Sequence, residues 1–227
     1  PLEWFDVRIG YTKTLSRPGY GSMSPRYYRS TDYNLYTNNV YLKPQLNTNY
    51  DIYLSFYGGK IGLLTVGAFY KRLEDQPMNY VVTVIDPADY GLTAPYKNKQ
   101  YGFWINNKWP GYVQGIEIDW QTQFSYLPKP FNGIILNANV TFMRSETRYP
   151  FYSFTTKNIP TPPYRISEGK DSSRVNKVTG MPAIVGNIAL GYEIGGFSGR
   201  ISAYYQGKTI TSAQASNKTV DQDRDQL

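Results

Sequence analysis

The chain has 227 residues, and its 24 Lys and Arg against 17 Asp and Glu give a net charge of +7 at pH 7. It contains no Cys and no His, which excludes a disulfide framework, Ser-His and Cys-His nucleophiles and most zinc sites. The apolar runs fall far short of the roughly 18 residues of a transmembrane helix. The basic residues form no dense block that would bind nucleic acid. Aromatic residues make up 16% of the chain, which leaves two classes open: a membrane β-barrel and an aromatic-rich soluble β-sandwich.

Alternating apolar and polar residues predict seven β-strands. Several of them reach ten residues or more, whereas a soluble strand usually has about five or six. A tilted strand that crosses a bilayer needs about nine to eleven, so the lengths favour a membrane barrel. The predicted strands are residues 4–15, 50–57, 61–72, 112–126, 133–145, 183–194 and 197–208.

The connections between these strands alternate in length. Short turns are expected at residues 57–60, 127–132 and 195–196. Long connections are expected at residues 16–49, 73–111 and 146–182, with a fourth after Lys208. Long unstructured loops are unusual in compact soluble domains, whereas outer-membrane barrels combine short periplasmic turns with long extracellular loops. The three short turns are therefore predicted to face the periplasm.

Each predicted strand has an apolar face and a polar face. Ile116, Ile134, Val140, Ile188 and Ile201 belong to the apolar faces, and aromatic residues lie near several strand ends. This profile predicts a lipid-facing band between interfacial girdles. In a soluble sandwich the same apolar residues would converge on a dry interior. The residues predicted to face the barrel lumen are Glu117, Asp119, Asn137, Asn139, Glu193 and Arg200.

The long connections are rich in aromatic residues, which are unusual in loops unless they are buried or bind a ligand. One interpretation is a ligand-binding surface whose rings stack on sugars or on an aromatic chelate. The alternative is that the rings pack against each other in a lid over the barrel mouth. No metal ion or cofactor is predicted. The candidate ligand-binding residues are Tyr90, Tyr96, Tyr101, Trp104, Trp109, Tyr152 and Tyr164.

Two groups of carboxylates have alternative interpretations. Glu117 and Asp119 lie two residues apart in one strand, so their Cβ atoms are about 7 Å apart, which fits an inverting hydrolase. Solvated carboxylates in the lumen are the favoured interpretation. The alternating Asp221, Asp223 and Asp225 imitate the start of a calcium loop, but Gln226 stands where an EF-hand needs Gly. A polar extracellular loop is the favoured interpretation there.

Short motifs occur in order along the chain, from about Tyr11 to Gln206. They are Arg17-Pro18-Gly19-Tyr20 at the end of the run 11–20, Leu42-Lys43-Pro44-Gln45, Asn49-Tyr50-Asp51, Ala68-Phe69-Tyr70-Lys71, Gly115-Ile116-Glu117 with Leu127-Pro128, Asn137-Ala138-Asn139-Val140-Thr141 with Ser145, and Asn187 with Gly191-Tyr192-Glu193, Phe197-Ser198 and Arg200. Each motif alone is weak, but together they resemble those of TonB-dependent outer-membrane receptors. Gln45 replaces the Glu that is usual in that family.

The resemblance implies an all-β fold: an antiparallel up-and-down transmembrane β-barrel segment, seen here as an open curved sheet of about seven strands. The complete barrel would have about 22 strands. Residues 1–227 are then a partial barrel domain, and the plug domain, the TonB box and the terminal strands are expected elsewhere in a longer protein. The edges of the sheet are predicted at residues 4–15 and 197–208, where unpaired backbone groups need partners.

In function, the resemblance implies a Gram-negative outer-membrane receptor that takes up a scarce ligand: a ferric siderophore, cobalamin or an oligosaccharide. Its partners would be outer-membrane lipid, the TonB complex through the plug, and the small-molecule or glycan ligand. A monomeric barrel without enzymatic activity is expected. Two alternatives stay open. One is a soluble or surface-attached β-sandwich that binds carbohydrate, and the other is an outer-membrane hydrolase that uses Glu117 and Asp119.

Overall fold

The structure, a computed structural model, describes residues 2–29, 34–163, 165–212 and 222–226. In these ranges the chain forms 13 strands, one short helix α1 (Tyr20–Met23) and three 3-10 helices (Pro87–Tyr90, Ala94–Tyr96 and Phe131–Gly133). No helix in the described ranges is long and apolar enough to cross a membrane. The strands are β1 (Phe5–Ser16), β2 (Tyr27–Arg29), β3 (Leu35–Thr37), β4 (Gln45–Gly58), β5 (Gly62–Glu74), β6 (Pro77–Thr83), β7 (Gln100–Asn106), β8 (Gly111–Gln123), β9 (Ile134–Asn158), β10 (Arg165–Asn176), β11 (Ile184–Ile194), β12 (Phe197–Ser212) and β13 (Gln222–Gln226).

Nine strands form one sheet, which we call the wall. Its order is β1-β4-β5-β8-β9-β11-β12-β13, and β10 pairs with β9. All pairs in the wall are antiparallel, and the strands that follow each other along the wall are joined in chain order. The seven predicted strands are all present, which confirms the predicted all-β, up-and-down barrel segment. Within the residues that the structure describes, the wall is not closed, as predicted.

The predicted edges are half right. β1 lies at one edge, but β13 covers β12 and forms the other edge. The polar sequence of β13 has no alternation, so periodicity could not reveal it; a free edge pairs through backbone groups, whatever the side chains are. Asp223 and Asp225 lie in this strand rather than in the expected polar loop. Asp221 lies outside the described residues.

The strand β9 has 25 residues and continues well beyond the predicted end at residue 145. Its first half pairs with β8 and with β11. Its second half pairs with β10, from Thr147 opposite Asn176 to Asn158 opposite Arg165. The expected loop at residues 146–182 is therefore largely a long β-hairpin. The sequence did not predict this extension, because it contains Pro150 and a proline argues against a continuous strand.

Between β10 and β11 the chain leaves the ladder at residues 177–183, which we call the strap. Val178 of the strap is buried against Phe69, Leu73 and Val113 on the wall. Its backbone N–H donates to the Ser145 hydroxyl over 3.2 Å. At Gly180 the φ angle is +75°, a left-handed conformation that favours glycine. The strap thus packs on the same wall face as these buried side chains.

The connections 17–44 and 75–110 contain a second sheet, which we call the loop sheet. Its order is β2-β3-β7-β6, with β3 and β7 parallel. The prediction of unstructured loops in these segments is wrong. Strands of three to seven residues with aromatic residues on both faces lack a period-2 pattern, and the β3–β7 pair joins residues more than 60 positions apart. We call the loop sheet together with the second half of β9 and β10 the loop module.

Candidate functional site

One face of the wall is apolar and remains exposed. In direct register across six strands lie Ile9, Ile52, Ala68, Ile116, Phe142 and Ile184. Ile116 is 51% exposed and Ile201 is 73% exposed. No second sheet covers this face in the part of the chain that the structure describes. The residues that would form the dry interior of a β-sandwich therefore lie on the outside.

Aromatic residues border the apolar face at both ends. At the end nearer the loop module, ring centroids are 5.2 Å apart for Tyr11 and Tyr50, 6.2 Å for Tyr50 and Tyr70, and 6.1 Å for Tyr70 and Tyr112. We call these four residues the tyrosine girdle. Near the short turns, Phe5 packs on Phe56, Trp120 on Phe124, and Tyr192 on Phe197. Six residues along one strand separate the two borders and span about 20 Å, which is close to the apolar band of membrane barrels.

The opposite face of the wall is polar at the end nearer the short turns. A row in direct register consists of Asp6, Ser55, Thr65, Asp119, Asn139 and Asn187. The strand register places all six residues predicted to face the lumen on this face. Glu117 accepts a hydrogen bond from the Tyr53 hydroxyl over 3.1 Å, and Asp119 accepts one from the Gln121 amide over 2.9 Å.

The loop module has its own core, centred on Tyr80 and Val82 of β6. Of the predicted site residues, the structure brings Tyr90, Tyr101 and Tyr152 together in this core, with Phe103. Ring centroids are 5.6 Å apart for Tyr90 and Tyr101, and 5.7 Å for Tyr80 and Phe103. These rings pack against each other across two connections, which is the lid arrangement weighed in the sequence analysis.

A hydrogen bond joins the two parts of the loop module. The Tyr80 hydroxyl donates to the Asp171 carboxylate of β10 over 2.5 Å. Burial, followed by this bond and the charge of Asp171, raises the pKa of Tyr80 well above its usual range. Burial also raises the pKa of Tyr90 and of Tyr152, with the Asp171 charge adding to both. All three hydroxyls are therefore neutral at physiological pH.

The other predicted site residues lie outside this core. Trp104 is on the opposite face of β7 from Phe103 and is half-buried. Tyr96 is half-buried in a 3-10 helix. Trp109 lies outside the core, with the Lys108 ammonium 4.4 Å and the Arg148 guanidinium 5.9 Å from its ring centroid. Tyr164 lies outside the described residues.

Asp171 was not predicted as a site residue, and its partner Tyr80 is 91 positions away. No local pattern signals a contact of that separation. Tyr80 itself carried a signal, since it belongs to the aromatic-rich connection. In the described residues no group of three or more acidic side chains is placed to hold a metal ion.

A cavity of about 620 Å³ opens where the β6–β7 connection meets the tip of the β9–β10 hairpin. Lys97 and Arg165 line it, and both are exposed. Thr83, Asn98, Thr156 and Ser167 add hydroxyl and amide groups to its lining. Two cations and several hydrogen-bonding groups around one cavity suit an anionic or polyhydroxylated small molecule.

Comparison with known proteins identifies the class that this wall and loop module define. Residues 1–225 match the family described as TonB dependent receptor-like, beta-barrel. The chain therefore belongs to that family, whose members are outer-membrane proteins. No curated protein matches the chain.

Solved structures share the fold. A mutant of the ferric enterobactin receptor PfeA from Pseudomonas aeruginosa is 15% identical, with a TM-score of 0.58 over 92% of this chain and 26% of that chain. Another mutant of the same receptor, in complex with enterobactin, is 14% identical, with a TM-score of 0.56 over 92% of this chain and 27% of that chain. The chain thus spans about a quarter of the length of these receptors.

Proposed function

We propose that this chain is part of the barrel wall and the extracellular loops of a TonB-dependent receptor in the outer membrane of a Gram-negative bacterium. One observation carries the proposal: an exposed apolar face lies between two aromatic borders, and a folded module lies beyond only one of them. Long connections mark the extracellular end of membrane barrels. The loop module then faces outward and the short turns face the periplasm.

In this arrangement the apolar face contacts membrane lipid, and the polar face lines the lumen. Glu117, Asp119, Asn137, Asn139, Glu193 and Arg200 would be solvated there and would line the path of the ligand. We propose no covalent chemistry for Glu117, because its carboxylate is bound to Tyr53. The remaining strands and a plug that contacts the TonB complex would come from other parts of a longer, monomeric protein.

The loop module would capture the ligand. We propose a ferric siderophore, because its negative charge suits Lys97 and Arg165 and its aromatic groups suit the neighbouring rings. Two solved structures that share the fold are of a ferric enterobactin receptor. An oligosaccharide is the second candidate ligand, because tyrosine and tryptophan rings also stack on sugars. Of the predicted site residues, Tyr96 directly precedes Lys97, which lines the cavity. Tyr90, Tyr101 and Tyr152 would instead support the loop module from its core.

The membrane assignment can be tested residue by residue, because the chain has no native Cys. Single cysteines at Ile116, Glu117, Ile118 and Asp119 would carry spin labels in lipid vesicles, in a complete protein whose Cys residues outside these 227 positions have been replaced by Ser. Labels at the two isoleucines should collide with dissolved oxygen, and labels at the two carboxylates should collide with a water-soluble nickel chelate. A label at Ile116 that neither reagent reaches would indicate a dry core and contradict the proposal.

Ligand capture requires a separate test. Deletion of the complete gene should reduce uptake of ferric catecholate chelates in iron-starved cells. When the gene is restored, uptake should return, and a proton uncoupler should stop it. The double substitution Lys97→Ala/Arg165→Ala should weaken chelate binding, and Lys60→Ala/Lys129→Ala in the short turns is the control with the same change in charge. If deletion of the gene abolished uptake of a labelled oligosaccharide and left iron uptake unchanged, the oligosaccharide would be the favoured ligand.

A further inference from the structure

The turn at residues 96–99 holds a residue with a side chain in a backbone conformation that favours glycine. The turn leads into β7, and the Lys99 N–H donates to the Tyr96 carbonyl over 3.0 Å. Lys97 has φ −59° and ψ 131°, and Asn98 has φ +63°. These angles define a type II turn, which requires a positive φ at the position of Asn98. Asparagine tolerates this conformation better than most residues, but only glycine adopts it without strain.

Backbone hydrogen bonds fix this turn to the chain just beyond β6. The Asn98 N–H donates to the Val84 carbonyl over 2.7 Å, and the Val84 N–H donates to the Lys99 carbonyl over 2.9 Å. Val84 is fully buried, so it anchors the turn in the loop module. Within the described part of the chain, the side-chain amide of Asn98 makes no hydrogen bond. The turn is therefore held by its backbone, and the Asn98 amide is available to a ligand.

Asn98 lines the cavity of about 620 Å³ together with Lys97 and Arg165. Among the described residues that line this cavity there is no carboxylate. Neither cation forms an ion pair with a described residue. Two hydroxyls of the lining, those of Thr156 and Ser167, lie 3.4 Å apart and bond to each other. The nitrogen donors that remain for a ligand are thus the two cations and the Asn98 amide.

We propose that Asn98 is a specificity-determining residue of the ligand site, and that its side-chain amide donates a hydrogen bond to an anionic oxygen of the bound ligand. The inference rests on the proposed function, which places ligand capture at this cavity. A donor on a rigid turn loses little entropy when the ligand binds. Residues in sparsely populated backbone conformations also cluster at ligand sites. Glycine would remove the strain at residue 98 but would offer no amide to the ligand.

The test uses the complete receptor, purified in detergent, and measures its affinity for a ferric tris-catecholate chelate by quenching of tryptophan fluorescence. Asn98→Gly should bind the chelate about 10-fold more weakly, because a hydrogen bond to a charged group is lost. Asn98→Asp should bind it more weakly still, since a carboxylate would repel the anion. The loops of Asn98→Gly should nevertheless resist limited proteolysis at least as well as the unmodified loops, because the strain at residue 98 is relieved.

Asp75→Gly is the matched control. Asp75 is the other non-glycine residue with a positive φ in the described chain, at +54°, and it does not line the cavity. Its replacement relieves the same kind of strain and should leave the affinity for the chelate unchanged. A loss in this control as large as that in Asn98→Gly would overturn the inference, because the effect would then come from the backbone.

Two further results would overturn the inference. One is equal affinity of Asn98→Gly and the unmodified receptor, and the other is equal affinity of Asn98→Asp and the unmodified receptor. Failure of the proposed function is distinguishable from both. It would leave the unmodified receptor itself without affinity for the chelate and would overturn the inference together with the proposed ligand.

Discussion

The Tyr53 hydroxyl reaches the Glu117 carboxylate, 3.1 Å away, from two strands apart. Gly67 lies between them in register, and the Tyr53 ring covers its backbone so closely that a Cβ there would collide with the ring. The contact joins β4 to β8 across β5. It depends on the absence of a side chain at Gly67.

Gly67→Ala should therefore displace Tyr53, break its bond to Glu117 and lower the free energy of unfolding by about 1–3 kcal/mol. Urea unfolding of the complete protein in lipid vesicles, followed by tryptophan fluorescence, measures this change. Gly10→Ala is the control, because a Cβ there makes ordinary contacts at 3.6 Å on the same wall face. Equal stability of the two variants would contradict the prediction.

The bond between Tyr80 and Asp171 should hold the loop sheet to the β9–β10 hairpin. Tyr80→Phe removes the hydroxyl and should destabilise the loop module by about 1–2 kcal/mol. Hydrogen exchange of the β6 amides measures this local stability. In the Asp171→Ala background the same substitution should cost clearly less, because the partner is already absent. Equal costs in both backgrounds would show that the two residues are not coupled.

The raised pKa values of Tyr80, Tyr90 and Tyr152 predict a loss of stability at high pH. As pH rises above about 10, the hydroxyls ionise in the unfolded loops before they ionise in the folded module. The stability is therefore complete below about pH 10 and decreases above it. Limited proteolysis of the loops between pH 8 and pH 12 measures this change. Tyr80→Phe should weaken the pH dependence, and an unchanged dependence would contradict the assignment.

The strap should detach when its buried anchor is made polar. Val178→Asp would bury a carboxylate among three apolar side chains, Phe69, Leu73 and Val113. A cysteine at Met181, a half-buried strap residue that packs against the same cluster, is then expected to react faster with a maleimide added to intact protein. Val178→Ile keeps the anchor apolar and should leave the reaction rate unchanged. A rate that is equal in both variants would mean that Val178 does not hold the strap.

The strands of the wall could be predicted because each has a wet side and an apolar side. Ile116, Glu117, Ile118 and Asp119 display that alternation directly. The first residues of β4 were missed, since Gln45, Asn47 and Asn49 offer no apolar partner on their face. The loop sheet was missed for a different reason. Its short strands are fixed by contacts between distant segments, such as that of Tyr36 with Gly102.

The candidate site was predictable in composition and not in arrangement. The sequence indicates that aromatic residues cluster in residues 79–111 and 149–164. Periodicity cannot separate a ring that supports the module, such as Tyr101, from one on the other face, such as Trp104. That difference depends on which face of β7 meets β6 and β9. It is a property of the assembled module.

The unbroken course of β9 determines how this protein can move. Its 25 residues lead from the short turn at residues 124–133 to the outermost hairpin, and they pair first with β8 and β11 and then with β10. The hairpin could hinge only at residues 146–147, where the pairing of β9 changes from β8 to β10. Hydrogen bonds from Asn107 to the Arg148 carbonyl and from Tyr149 to the Lys177 carbonyl hold it at that point. An opening at the entrance would therefore come from the segments that pack against this hairpin. Residues 75–110 are such a segment, and Tyr80 joins them to the hairpin through Asp171.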